Sequence, residues 1–119
     1  MNDFFKVLAD ETRLRCLSLI LEYNEVCVCE LIEALDLPQS KISRHLSIIK
    51  LNNIISQRRV GQWMMYSLHP DLSVFKHSII EQTIKELSSQ PLFKKDMKQL
   101  SKMDCRPSGQ IESMESSDV

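Results

Sequence analysis

Two cysteines, Cys27 and Cys29, are separated by a single residue in this 119-residue chain. Two thiolates at this spacing reach one soft ion together from an extended or turn-like segment, whereas on an ideal helix their directions differ by about 200°. Thiolates suit arsenite, antimonite, cadmium, lead or copper(I), and they do not suit magnesium or calcium. The alternative is that both cysteines are small buried apolar residues. A soft-ion site therefore requires a loosened or irregular helix start near these cysteines.

The middle of the chain carries charge of one sign. Residues 37–69 hold five basic side chains and no carboxylate, whereas residues 1–36 hold three basic and eight acidic side chains. The net charge of the whole chain, −1, hides this difference. A positive segment of this kind favours contact with a polyanion such as DNA.

The spacing of apolar residues predicts the elements that position these side chains. Helices are expected over residues 2–9, 10–23, 29–36, 40–51 and 71–87. Asp10 is the expected cap of the second helix. Residues 54–59 and 63–68 are β-prone, and they are joined by a turn in which Gly61 suits a positive φ. Residues 89–119 are expected to form a C-terminal tail that is partly helical and then disordered.

Two helices joined by a short turn and followed by a hairpin form a winged helix-turn-helix, whose second helix enters the DNA major groove. The expected fold class is therefore mainly α with a β-hairpin wing (α+β), with residues 1–88 as the DNA-binding and dimerisation domain. The side chains expected to contact double-stranded DNA are Gln39, Ser40, Lys41, Ser43, Arg44, His45, Arg58, Arg59 and Gln62. For His45, a half-buried core position is the alternative.

The first and last predicted helices carry more apolar surface than one small core absorbs. The residues concerned are Phe4, Phe5, Val7, Leu8, Phe75, Ile79, Ile80 and Ile84. A two-fold interface between copies would bury them and would place two DNA-reading helices about 34–36 Å apart, which is one DNA turn. A homodimer is therefore expected; the alternative is a monomer that folds these helices back on itself.

Several classes of protein are excluded by composition. Two glycines in the whole chain cannot form a Gly-rich phosphate loop, and no CxxC or activating side chain marks a thiol enzyme, so neither an enzyme nor a cofactor for DNA binding is expected. No apolar run is long enough to cross a membrane, and no basic-then-apolar leader opens the chain. The expected location is the cytoplasm, where cysteines stay reduced.

Four stretches resemble the arsenic-responsive repressor (ArsR/SmtB) family, and together they extend over roughly residues 3–88. Residues 8–15 are similar to its N-terminal motif, residues 39–46 to its recognition helix and residues 61–68 to its wing. Residues 25–31, with the sequence EVCVCEL, resemble its metal-sensing box. The resemblance implies a homodimeric repressor that leaves its operator DNA when arsenite or antimonite, As(III) or Sb(III), binds Cys27 and Cys29.

The third ligand is where this chain departs from the family. Arsenic-sensing members often carry a third cysteine at the position that Ile32 occupies here. Cys105 is one candidate for the missing thiolate, and an exogenous ligand beside two thiolates is another. Cys16 is expected to lie in the core.

A cadmium-, lead- or zinc-responsive repressor, or a thiol-redox-responsive one, is the alternative on the same scaffold. Family members that sense cadmium and lead add cysteines from a longer N-terminal arm, and none precedes Asp10 here. The zinc sensors carry an Asp-x-His pattern on the last helix, where this chain has Asp71-Leu72-Ser73. His77 and Glu81 have no matching second histidine, so trivalent arsenic or antimony is favoured.

Overall fold

The computed structural model describes residues 2–103, in which six helices surround one small sheet. The elements are α1 (Asn2–Leu8), α2 (Glu11–Tyr23), β1 (Val26–Cys27), α3 (Val28–Leu35), α4 (Gln39–Leu51), β2 (Ile55–Val60), β3 (Trp63–Leu68), α5 (Val74–Leu87) and α6 (Pro91–Ser101). The antiparallel sheet has the order β1-β3-β2. Helices α3 and α4 with the β2–β3 hairpin form a winged helix-turn-helix, which confirms the expected fold class.

Capping residues and a proline set the start of α2 and the turn between α3 and α4. The side chain of Asp10 accepts a hydrogen bond from the backbone N–H of Arg13 at 3.0 Å and so caps α2, as predicted. Helix α3 ends at Leu35, and its C-cap residue Asp36 has a left-handed backbone with φ 57°. Pro38 then directly precedes α4. The link between the two helices is therefore a short turn with little conformational freedom.

The wing closes through a two-residue turn. Val60 pairs with Trp63, so only Gly61 and Gln62 lie between the strands. Gly61 has φ 62° and occupies the first turn position, where a type II′ hairpin needs glycine. The third strand, β1, was not expected, because its two residues are too few to show an alternating pattern.

Helix α6 lies within the segment that the sequence assigns to the tail. Its residues Phe93 and Leu100 are 2% and 3% exposed, and the helix packs on α2 and α3. The packed part of the chain therefore extends beyond residue 88 to at least Leu100. The expected disorder near the C-terminus concerns residues 107–119, which lie outside the described residues.

A buried ion pair fastens α6 to the rest of the fold. Arg15 on α2 donates from Nε to Oδ2 of Asp96 at 2.8 Å and from Nη2 to Oδ1 at 2.9 Å. Its Nη2 also donates to the backbone oxygen of Leu35, the last residue of α3, at 3.1 Å. The hydrogen-bonded carboxylate raises the pKa of Arg15 above its ordinary value. This one side chain thus joins α2, α3 and α6.

A second polar network docks α4 onto α1 and α2. Arg13 donates from Nε to the backbone oxygen of Val7 at 2.8 Å and from Nη2 to that of Lys6 at 3.0 Å, at the end of α1. Its Nη1 lies 3.3 Å from Nδ1 of His45, a residue that is 3% exposed. Burial lowers the pKa of His45, which favours a neutral ring. In that form Nδ1 accepts a hydrogen bond from Nη1 of Arg13.

Removal of one partner from the α6 ion pair leaves the other buried without its opposite charge. We expect Asp96→Ala to lower the free energy of unfolding by about 3–5 kcal/mol, measured by urea denaturation. Lys94→Ala, which changes an exposed side chain on the same helix, should shift it by less than about 0.5 kcal/mol. An Asp96→Ala protein as stable as the wild type would show that other contacts hold α6.

The lowered pKa of His45 makes stability depend on pH. Below its ordinary value of 6.5 the unfolded chain binds the imidazole proton more readily than the folded protein, so stability should fall as pH drops. We expect His45→Gln to show a smaller loss between about pH 7.5 and about pH 5.5 than the wild type, measured by urea denaturation at each pH. His77→Gln, at a side chain that is 42% exposed, is the control and should keep the wild-type slope. Equal slopes for His45→Gln and wild type would contradict this assignment.

Candidate functional site

Cys27 and Cys29 lie where strand β1 passes into helix α3. Cys27 is the last residue of β1 and the N-cap of α3, with an extended backbone (φ −88°, ψ 150°), while Cys29 belongs to the first helical turn. This change of backbone turns the two sulfurs toward each other, with Sγ of both residues 2.6 Å apart. Both cysteines are free thiols. The pair therefore converges at the helix cap, without the loosening of the helix that the spacing alone implies.

The sulfur of Cys27 also serves the helix. It accepts a hydrogen bond from the backbone N–H of Cys29 at 3.2 Å, and the backbone N–H of Cys27 donates to Oε1 of Glu30 at 2.8 Å. Together these contacts form a capping box, which satisfies backbone donors at the start of α3. An ion bound to Cys27 would engage the same sulfur that accepts the cap hydrogen bond. Binding at this sulfur is therefore linked directly to the start of α3.

Further metal ligands are not gathered around the pair. Within residues 2–103, no three side chains of the types His, Cys, Asp or Glu are placed to hold one metal ion. Ile32 is partly buried and packs against the core. Cys16 is fully buried, which raises the pKa of its thiol to about 12 and agrees with the expected core position. Cys105 lies outside the described residues.

His77 and Glu81 form the other pair with metal-binding side chains that the sequence singles out. Nδ1 of His77 lies 3.2 Å from Oε1 of Glu81, one turn apart on α5. A structural or catalytic zinc site takes three or four protein ligands. Two side chains on one helix fall short of that number.

The first half of α4 presents a polar face that is open to contact. Its exposed residues are Gln39, Ser40, Ser43 and Arg44, and Lys41 is half-buried. No acidic residue lies in the first turn. This face has the donors that read base edges and hold phosphates.

His45 is the exception among the residues expected on this face. It belongs to the buried side of α4 together with Ile42, Leu46 and Ile49. Its ring contacts Arg13 and is 3% exposed. The expectation that His45 contacts DNA is therefore corrected in favour of the alternative, a buried histidine that docks the helix.

The wing carries the remaining basic residues. Arg59 and Gln62 are exposed, as a contact with DNA requires. The Arg58 side chain is 64% exposed, and it donates from Nε to Oε2 of Glu25 at 2.6 Å and from Nη2 to Oε1 at 2.8 Å. The sequence does not reveal this partner, because Glu25 lies 33 positions away in the acidic part of the chain.

The apolar residues expected at a dimer interface divide into three groups. Leu8 and Ile79 are half-buried and pack against the core. Phe4, Val7, Ile80 and Ile84 are buried within the single chain, because α1 and α5 pack against α2. This corrects their expected place at an interface. The exposed large apolar side chains on these two helices are Phe5 at 46%, Val74 at 87% and Phe75 at 57%.

Helices α1 and α5, which carry these exposed side chains, approach each other. Nζ of Lys76 on α5 lies 5.4 Å from the ring centroid of Phe4 on α1. The exposed apolar side chains on the two helices offer contact area for another molecule. None of the helices in residues 2–103 has both the length and the apolar character of a membrane span.

Comparison with known proteins identifies the family. A family model described as "Bacterial regulatory protein, arsR family" matches residues 10–57, from the cap of α2 into strand β2. The arsenic resistance transcriptional regulator ArsR2 of Pseudomonas putida is 44% identical over 105 residues, which cover 88% of this chain and 90% of that protein. The arsenical resistance operon repressor of Escherichia coli is 44% identical over 78 residues, 66% of this chain and 67% of that protein.

Solved structures agree with the sequence relatives. HlyU from Vibrio cholerae superposes with a TM-score of 0.63 and 31% sequence identity, over 71% of this chain and 87% of that chain. The alignment with the regulator of Pseudomonas putida extends over most of both proteins, so it relates the whole fold rather than a fragment. The chain belongs to the arsR family of bacterial regulatory proteins, and it is a winged-helix transcriptional regulator rather than an enzyme.

Proposed function

We propose that this regulator represses transcription by binding operator DNA as a homodimer, and that arsenite or antimonite releases it by binding the thiolates of Cys27 and Cys29. The observation that carries the proposal is the convergence of the two sulfurs, 2.6 Å apart at the start of α3. The names of the relatives, which refer to arsenic resistance, support a trivalent metalloid as the ion. No cofactor is needed for DNA binding, and the site of action is the cytoplasm, where the operator lies.

The metalloid would take two thiolates from this pair. A thiolate is the soft ligand that such an ion prefers. Since no third side chain of a suitable type joins the pair within residues 2–103, the third ligand is either Cys105 or an exogenous group such as hydroxide or a small thiol.

Release follows from the position of the pair beside the DNA-reading helix. Coordination draws on the sulfur of Cys27 that accepts the Cys29 N–H, and it weakens the cap of α3. Helix α3 packs on α4, so a change at the start of α3 alters the way α4 is supported. The ion therefore favours the state of the protein that fits DNA less well, which is a two-state switch with coupled sites.

DNA binding would use the polar face of α4 and the wing. The proposed contacts are Gln39, Ser40, Lys41, Ser43, Arg44, Arg58, Arg59 and Gln62. In a homodimer that buries Phe5, Val74 and Phe75, two copies of α4 would enter successive major grooves about 34–36 Å apart. The positive segment 37–69 supplies the charge that draws the protein to phosphates.

A thiol-redox regulator is the second candidate, because the same short Sγ–Sγ distance suits a disulfide. Two thiols would give two electrons and two protons to a peroxide, forming one disulfide and two molecules of water. A regulator responsive to cadmium, lead or zinc is the remaining alternative. These candidates share the fold and the DNA site, and they differ in the agent that releases DNA.

The direct test is fluorescence anisotropy of a labelled operator from the protein's own promoter region. The complex is formed and then titrated separately with arsenite, cadmium, lead, zinc and hydrogen peroxide. We expect release by low arsenite concentrations and little effect of the divalent ions. Release by a divalent ion alone, or by peroxide with reversal by dithiothreitol, would replace the metalloid with the corresponding alternative.

Substitution of either cysteine should separate sensing from DNA binding. We expect Cys27→Ser and Cys29→Ser to bind operator as the wild type does, because serine at position 27 remains a good helix cap. The arsenite concentration for half-release should rise more than about tenfold, since one ligand is lost. Cys16→Ala, which removes a buried thiol, is the control that should keep release. Normal release by Cys27→Ser or by Cys29→Ser would place the sensing site elsewhere. Cys105→Ser tests the tail, since a raised arsenite concentration for half-release would identify Cys105 as the third ligand.

Arg44 should contribute to operator recognition without taking part in sensing. We expect Arg44→Ala to weaken specific operator binding by about 1–3 kcal/mol, the range for an arginine that contacts a base edge. Its arsenite affinity should stay at the wild-type value. Lys50→Ala, an equal change of charge at the other end of α4, is the control and should have a much smaller effect. An unchanged operator affinity would remove Arg44 from the DNA interface.

A further inference from the structure

The ion pair between Glu25 and Arg58 joins the cysteine segment to the wing. Glu25 immediately precedes β1, and Arg58 lies in β2. These strands are the two edges of the sheet, with β3 between them. Neighbouring strands lie about 4.8 Å apart, so the two long side chains meet across a gap of about 10 Å. The two hydrogen bonds, at 2.6 and 2.8 Å, fix the direction of the guanidinium.

The strand register brings the cysteine pair close to the same arginine. Cys27 and Arg58 are both aligned with Met65 of the middle strand, one from each side. Met65 is fully buried and pairs with both edge strands, so it connects them at this position. A displacement of Cys27 can therefore reach the wing through the β1–β3 ladder and through Glu25, which lies two residues upstream.

An ion bound to the pair would connect Cys27 and Cys29 through a common atom. It would replace the direct contact between the two sulfurs, and it would engage the sulfur that accepts the Cys29 N–H. Cys29 is part of helix α3, whereas Cys27 is part of the sheet. A bound ion would thus link the edge of the sheet to the start of the helix.

We propose that Glu25 is a positioning residue that couples the cysteine pair to the wing. With the pair empty, Glu25 orients Arg58 toward the DNA backbone; with the pair occupied, Glu25 moves with Cys27 and Arg58 loses that orientation. The inference rests on the proposed metalloid response and deepens it, because release then acts through the wing as well as through α4. The ion pair is partly exposed, with side chains 21% and 64% accessible, so its loss costs little stability and its variants fold.

The test measures the coupling factor, which is the ratio of operator affinities without and with saturating arsenite. We expect Glu25→Gln to reduce this factor about threefold to tenfold, measured by anisotropy. Arsenite affinity of the DNA-free protein, measured by calorimetry, should change by less than about twofold, well short of the losses that follow changes near a metal's own ligands. Glu22→Gln, an equal loss of charge at an exposed residue of α2, is the matched control and should keep the wild-type factor.

A second variant, Arg58→Gln, tests the other partner of the ion pair. It should weaken operator binding and lower its salt dependence by roughly one ion, as expected for a phosphate contact. It should reduce the coupling factor as Glu25→Gln does, and the double variant should show no further reduction, because the two side chains act as one unit.

Three results would overturn the inference. A wild-type coupling factor in Glu25→Gln would overturn it while leaving arsenite-responsive repression intact. An equal reduction in Glu22→Gln would show that charge, and not the ion pair, is responsible. If arsenite does not release the wild-type protein from operator DNA, both this inference and the proposed function are overturned.

Discussion

The backbone of Cys27 is the constraint on which the proposed sensing site depends. This residue pairs with Met65 in the sheet and at the same time caps helix α3. Because its backbone is extended and that of Cys29 is helical, two side chains that would diverge on a regular helix converge instead. The cysteine pair, the wing sheet and the first helix of the DNA-binding motif thus meet at one residue. A change at its sulfur would occur where all three join.

Helix α2 holds α3 and α4 in place through two arginines. Arg13 and Arg15 are two positions apart and therefore point to nearly opposite sides of the helix. Arg13 reaches the end of α1 and the buried ring of His45 on α4. Arg15 reaches Asp96 on α6 and the last carbonyl of α3. Helices α3 and α4, which form the proposed switch, are thus both hydrogen-bonded to α2. A shift of one of them against α2 would also change its position relative to the other.

The distribution of charge separates two tasks within one small chain. The basic segment 37–69 forms the face of α4 and the wing, where phosphate contact favours positive charge. Half of the 16 acidic side chains lie in residues 1–36, before this segment, and the other half follow it. Glu25 and Arg58 form a contact across this division, and it lies two residues from the cysteine pair. An isolated surface ion pair has little effect on stability, so the importance that we propose for this one comes from its position.

The sequence by itself determined the elements that local rules control. The cap at Asp10, the turn glycine Gly61, the helix periodicities and the acid-free segment 37–69 predicted the winged helix-turn-helix. They also predicted most of its exposed polar face. These signals depend on a few neighbouring residues, so they survive without knowledge of the packing. The cysteine pair was likewise visible as a spacing.

Only the tertiary structure decided which side chains meet over long distances. It paired Glu25 with Arg58, buried His45 against Arg13, fastened α6 to α2 through Asp96 and placed Phe4 and Val7 inside the chain. It also decided the backbone of Cys27, because a two-residue strand forms only when β3 is present to pair with it. In each case the partner is remote in sequence, and the contact follows from the way the helices pack around the sheet.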